Sequence, residues 1–124
     1  MLEEWDYSDY KLVDEDEEPD PEYQRLLRNM RAHEIAMIVV KHRDLKAAAS
    51  KEAYLKVLEK VYIFLIKFVR KNSDNQIIML KHIDEFLQDI VLGVHALELI
   101  AEILRDNPKL QTYNIEPIIV EVCS

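Results

Sequence analysis

Apolar side chains recur at three- and four-residue steps along most of this chain, the spacing of amphipathic helices. After Pro21, a residue suited to a first helical turn, the series Tyr23, Leu26, Leu27 and Met30 predicts a short helix with one apolar face. Ile35, Met37, Ile38, Val39 and Val40 predict a second, begun near Arg31-Ala32-His33 and ended by Arg43-Asp44. That run is rich in β-branched residues, but no hairpin turn or partner strand adjoins it, so it reads as a buried helix.

Ser50 is placed to cap a third helix. Tyr54, Leu55, Leu58, Val61, Tyr62, Leu65, Phe68 and Val69 then repeat for about five turns, and the middle of the helix is apolar nearly all round. A helix of that profile belongs at the centre of a stack, and Phe64 is expected to touch both neighbouring layers. Ser73-Asp74 caps the next segment, with Ile77, Ile78, Leu80, Ile83, Phe86, Leu87 and Ile90 on its apolar positions. Leu92 to Leu104 forms a further amphipathic helix, stopped by Asn107-Pro108. A last apolar run, Ile115 to Val122, has Pro117 in its first turn.

Gly93 is the only glycine, and hairpin turns and phosphate-binding loops both favour glycine. The expected class is therefore all-α, and nucleotide binding is disfavoured. The helices fall into pairs over about 22–43, 51–88 and 92–123, each near the ~40-residue unit of armadillo-type repeats. One such pair cannot bury its own apolar face. The chain reads as an armadillo-like helical-repeat fragment, an internal slice of a longer solenoid.

Charge divides the chain differently. Residues 1–22 hold eleven carboxylates and one lysine, a local charge of −10 that exceeds the −8 of the whole chain. Like-charge repulsion favours an extended, disordered tail or linker over residues 1–20, followed by a helical domain over 21–124. Trp5, Tyr7 and Tyr10 among the carboxylates leave a second reading open, an acidic-aromatic docking peptide for a basic surface. Lys56, Lys60, Lys67 and Lys71 lie along one side of the third helix, as a solvated face or as a surface for an acidic partner. No secretory signal opens the chain, and its longest apolar run, Val61 to Ile66, is far short of the ~20 residues of a membrane helix. Direct membrane insertion and nucleic-acid binding are not expected.

Catalytic chemistry finds little support. His33, His42, His82 and His95 fall at no recognisable ligand spacing, so no metal and no cofactor is expected. The lone Cys123 reads as a small core residue, and the serines have no paired base in sequence, although an acid–base pair assembled in space stays open. The amides of Asn75 and Gln76 begin a helix, where they can satisfy orphan backbone groups. Lys81, Asp84, Glu85 and Gln88 lie between the buried positions of that segment.

Two stretches, "QRLLRNMRAHEIAMIV" and "FLIKFVRKNSDNQIIMLKHIDEFL", carry a family resemblance. The matching residues are Arg25, Leu26, Leu27, Arg28, Asn29 and Met30, then Ala32 and His33, then Asn75 and Gln76, and finally Lys81, His82, Ile83, Phe86 and Leu87. In order and spacing they resemble the homology (RIH) domain shared by inositol trisphosphate receptors and ryanodine receptors, more closely the former. The resemblance covers roughly residues 24–90; the acidic start has no counterpart, and the likeness fades after Ile90. It implies a cytosolic piece of a large, homotetrameric calcium-release channel of the endoplasmic reticulum. Inositol trisphosphate and calcium would be bound elsewhere in the polypeptide, so no ligand residue is implied here. A ryanodine receptor segment, a free-standing helical adaptor and a small enzyme remain the alternatives.

Overall fold

The computed structural model describes residues 18–42 and 51–108, and these are all-helical. Six α-helices follow in order: α1 Pro21–Asn29, α2 Ala32–Val40, α3 Lys51–Val69, α4 Ser73–Leu80, α5 Ile83–Asp89 and α6 Ala96–Leu104. A 3-10 turn, Ile90–Leu92, joins α5 to the segment before α6. No strand occurs among the described residues. The predicted Ser50 cap, the Arg43-Asp44 stop, the Ile115–Val122 run and Cys123 lie outside them, as do Trp5, Tyr7 and Tyr10.

α3 is the centre of the stack. It packs against α2 on one side and α6 on another, with α1 and α4 also against it. Tyr62, Leu65, Ile66, Phe68 and Val69 of α3 are buried in one apolar cluster with Val40 of α2, Phe86 of α5 and Leu99 and Ile103 of α6. Phe64 departs from expectation. It is only half-buried, at the edge of this cluster, while its neighbour Leu65 is fully enclosed.

The ends of the elements show what periodicity could not place. α1 begins as predicted at Pro21, its N-cap supplied by Asp20, whose carboxylate accepts from the amides of Glu22 and Tyr23. α4 is capped by Asn72, one residue before the expected Ser73, through its side-chain oxygen and the Asn75 amide. The apolar series from Ile77 to Ile90 is not one helix: it breaks at Lys81-His82 and resumes as α5. The Leu92–Leu104 pattern likewise becomes helical only at Ala96, after Gly93 and His95 take left-handed backbone angles (φ 70° and 72°). Arg31 and Lys71 turn the chain in the same way at the α1–α2 and α3–α4 joints (φ 61° and 53°). Tight reversals between helices thus occur at non-glycine residues, at a cost of about 1–2 kcal/mol each.

The largest difference concerns α1. Its predicted apolar face does not point inward: Tyr23 (59% exposed), Leu26 (51%) and Met30 (64%) face out, and only Leu27 is partly covered. The one buried residue of α1 is polar, Gln24.

Candidate functional site: a junction of buried amides

The last four carbonyls of an α-helix have no partner within the helix, and where a helix ends inside a protein something else must donate to them. α3 and α6 both end in this situation. Gln24, reaching across from α1, donates its side-chain amide to the carbonyls of Lys67 (2.9 Å) and Arg70 (2.8 Å) at the end of α3. Asn75, from the first turn of α4, donates to the Phe68 carbonyl (2.9 Å). Its neighbour Gln76 turns to α6 and donates to the carbonyls of Glu102 (2.7 Å) and Arg105 (3.0 Å). Three buried amides thus cap two helices to which none of them belongs.

A second ring of contacts orients the amides. Arg28, one turn beyond Gln24 on α1, donates to the Asn75 side-chain oxygen at 2.9 Å, and Asn72 donates to the Gln24 side-chain oxygen at 3.1 Å. With the oxygens of Gln24 and Asn75 occupied by donors, their amide nitrogens are directed at the carbonyls. Arg70, at the bend between α3 and α4, forms an enclosed ion pair with Glu102 of α6 at 3.2 Å, and Arg105 meets the same carboxylate oxygen at 3.4 Å. Asn107 closes the far side by donating to the Ser73 carbonyl. Below the junction, Tyr62 of α3 donates its hydroxyl to Asp89 of α5 at 2.6 Å in the core, and burial, then that hydrogen bond, pushes the phenol well above its ordinary range.

The sequence-selected residues divide sharply in this frame. Arg28, Asn75 and Gln76 meet in the junction, while Ile83 and Phe86 lie in the apolar core. Leu27, Ala32 and Leu87 are half-buried. Arg25, Leu26, Asn29, Met30 and Lys81 are exposed, Arg25 with an ion pair to Glu22 on its own helix. The amides do satisfy orphan backbone groups, as their types suggest, but carbonyls of neighbouring helices rather than amides of their own. Gln24, Asn72, Arg70 and Glu102 were not singled out. For Gln24 a signal existed: it lies one turn before Leu27 and Arg28, the two other residues that turn α1 inward.

His33 is buried and stacks on Phe68 with ring centroids 5.1 Å apart. Burial lowers its pKa, Lys81, Arg28 and Arg31 add to that, and only Glu34 opposes it. His82 is lowered too, by burial, Lys41, Lys81 and His33, against Glu85. In both, burial and the neighbouring cations disfavour the protonated ring. Among the described residues no three His, Cys, Asp or Glu side chains gather as metal ligands. What the junction does chemically is hold four chain segments in one register through directed hydrogen bonds.

The chain matches the family model described as the RIH domain over residues 7–123. That match is wider than the 24–90 stretch in which the likeness is legible, and takes in most of the acidic segment. No curated protein matches, and no solved structure matches.

Proposed function

The chain belongs to the RIH domain family of inositol trisphosphate and ryanodine receptors, and on that premise we propose that it is a cytosolic helical-repeat block of a calcium-release channel of the inositol trisphosphate receptor type. Its role there is structural and mechanical, without catalysis: it lies in the endoplasmic reticulum channel between the region that binds ligand and the pore, as part of a homotetramer. The proposed division of the chain is a domain over residues 21–124 preceded by an acidic tail or linker over residues 1–20. No helix among the described residues is long and apolar enough to cross a membrane.

The family match carries this reading, and the amide junction gives it a physical basis. Apolar contacts between helices are non-directional and allow small slides, whereas a hydrogen bond weakens steeply with distance and angle. By tying the ends of α3 and α6 to α1 and α4, the junction makes the helices move as one body. A rigid block passes a displacement from one neighbour to the next.

The test is made in the full-length receptor, with Gln24→Leu and Gln76→Leu together. Tetramer assembly and ligand binding should be retained, while calcium release should need more ligand. If release is unchanged in a tetramer whose junction is shown by hydrogen exchange to have loosened, the block is not part of the coupling path.

A further inference from the structure

We infer that the outer side of α1 and α2 is a docking surface for a helix of an adjacent repeat in the same polypeptide, one that presents an apolar ridge without net charge. The inference rests on the family reading above and names the partner of this block. α1 has its sides reversed relative to a surface helix: Gln24 and Arg28 face the block, while Tyr23, Leu26 and Met30 face out. α2 buries His33, Ala36, Met37 and Val40, and turns Ile35 (65% exposed) and Ile38 (66%) outward. These five are most of the eight large apolar side chains exposed among the described residues. At roughly 100 Å² each they leave on the order of 500 Å² of apolar surface, the size at which a patch on one chain marks an interaction site.

Spacing and charge specify the occupant. Tyr23, Leu26 and Met30 follow at steps of three and four, the seam that receives side chains of a facing helix, whereas an extended strand matches alternate positions. Ile35 and Ile38 keep the three-residue step on α2. A hollow of about 350 Å³ runs along the outer side of α1, lined by Tyr23 and Leu26 with Glu22, Arg25 and Asn29. It seats a ridge. The charges beside the face are paired locally, Arg25 with Glu22 at 2.7 Å and Arg31 with Glu34 at 3.7 Å. Two acids and two bases leave no net field to attract a polyanion or an acidic headgroup. An apolar helix approaching this face separates no charge pair, and stacking of this kind is how helical repeats bury the faces that one pair leaves open.

Hydroxyl-radical footprinting read by mass spectrometry tests the assignment. In the intact 124-residue chain Tyr23 and Met30 should be labelled at a rate independent of protein concentration; in the full-length receptor both should be labelled several-fold more slowly. Met37, buried within the block, is the internal reference and should be slow in both. Leu26→Asp with Ile38→Asp in the receptor should restore the labelling of Tyr23 and Met30, since both substituted sites lie outside the core of the block. A photoactivatable residue incorporated at position 30 should crosslink to a helical peptide of the same polypeptide, so that the product keeps the mass of one chain on a denaturing gel. A crosslink joining two subunits would overturn the proposal by making the face a subunit contact. Equal labelling in the receptor and in the 124-residue chain would overturn it as well. So would slow labelling already in that chain, which would assign the face to the chain's own remaining segments, or to a second copy where the protection grows with concentration. Calcium release is no part of the readout: a covered face in a receptor whose release ignores the amide substitutions upholds this inference while the coupling role falls, and a bare face with altered release does the reverse.

Discussion

α1 and α6 lie at opposite ends of the described chain and attach to the same central helix by opposite means. α6 is held by apolar burial: Leu99 and Ile103 are fully enclosed, and Ile100 nearly so. α1 buries a glutamine, half-buries an arginine, and leaves Tyr23, Leu26 and Met30 outside. Apolar burial supplies most of the stability of a fold but is tolerant of position, whereas an amide aimed at two carbonyls accepts few arrangements. The difference separates what makes this block stable from what sets its geometry, and each half can be broken by itself.

The apolar half should break hardest. Phe86 is fully buried and meets Tyr62 edge-on at 5.7 Å, so Phe86→Ala leaves a large cavity that the surrounding helices cannot fill. The expected loss is about 3–5 kcal/mol, read as a drop in the urea midpoint followed by circular dichroism. A loss under about 1 kcal/mol, the range of surface substitutions and mild repacking, would place the core elsewhere.

The polar half comes next. Gln76→Leu strands the Glu102 and Arg105 carbonyls, and Gln24→Leu strands those of Lys67 and Arg70. An unsatisfied buried acceptor costs about 1–3 kcal/mol; in each variant one of the two carbonyls is buried and the other only partly so, so each should lose about that much, less than Phe86→Ala. The informative measurement is local. Hydrogen exchange should rise at the joints of α1 and α4 more than in the middle of α3. Uniform loosening would mean that the amides contribute stability alone and do not set register.

How much of this was readable beforehand follows the same division. The amphipathic run of α3 and the apolar positions of α6 were legible, because burial by apolar residues leaves a 3.6-residue period in the sequence. The inward side of α1 was not. A helix that packs through Gln24 and Arg28 while exposing Tyr23, Leu26 and Met30 inverts the rule on which the period rests. The breaks at Lys81-His82 and before Ala96 were hidden for another reason: the apolar spacing continues across them, and no proline or glycine marks the first. Asn75 and Gln76 were recognised as groups that satisfy backbone, but their acceptors lie on helices distant in sequence, and only three-dimensional structure identifies them.

Acid should act on the joint between the two halves, with a smaller effect. His33 of α2 stacks on Phe68 of α3, and burial holds its pKa, like that of His82, below the ordinary 6.5. The unfolded chain therefore binds protons near pH 6.5 that the folded chain refuses. Stability is unaffected above that value and falls as pH drops below it, toward the lowered folded-state values. Urea midpoints taken at about pH 7 and about pH 5 should show the fall, and His33→Phe, which keeps a ring against Phe68, should reduce it. An unchanged slope in the variant would assign the acid sensitivity to other groups.

The smallest effect is expected where the sequence pattern looked strongest. Leu26 and Met30 belong to the apolar series that predicted α1, yet both are more than half exposed. Leu26→Ser with Met30→Ser should change the stability of the 124-residue chain by no more than about 0.5 kcal/mol per site, as for surface positions that lack special contacts. In an intact receptor the same pair has a different expected outcome. If α1 stacks on the helices of a preceding repeat, those side chains are core residues of the assembly, and their loss should lower the stability of the receptor's helical region while leaving this block alone untouched. A cost equally small in both settings would show that the outer face of α1 is solvent-facing in the channel as well, and that the inward side, Gln24, Leu27 and Arg28, positions this helix.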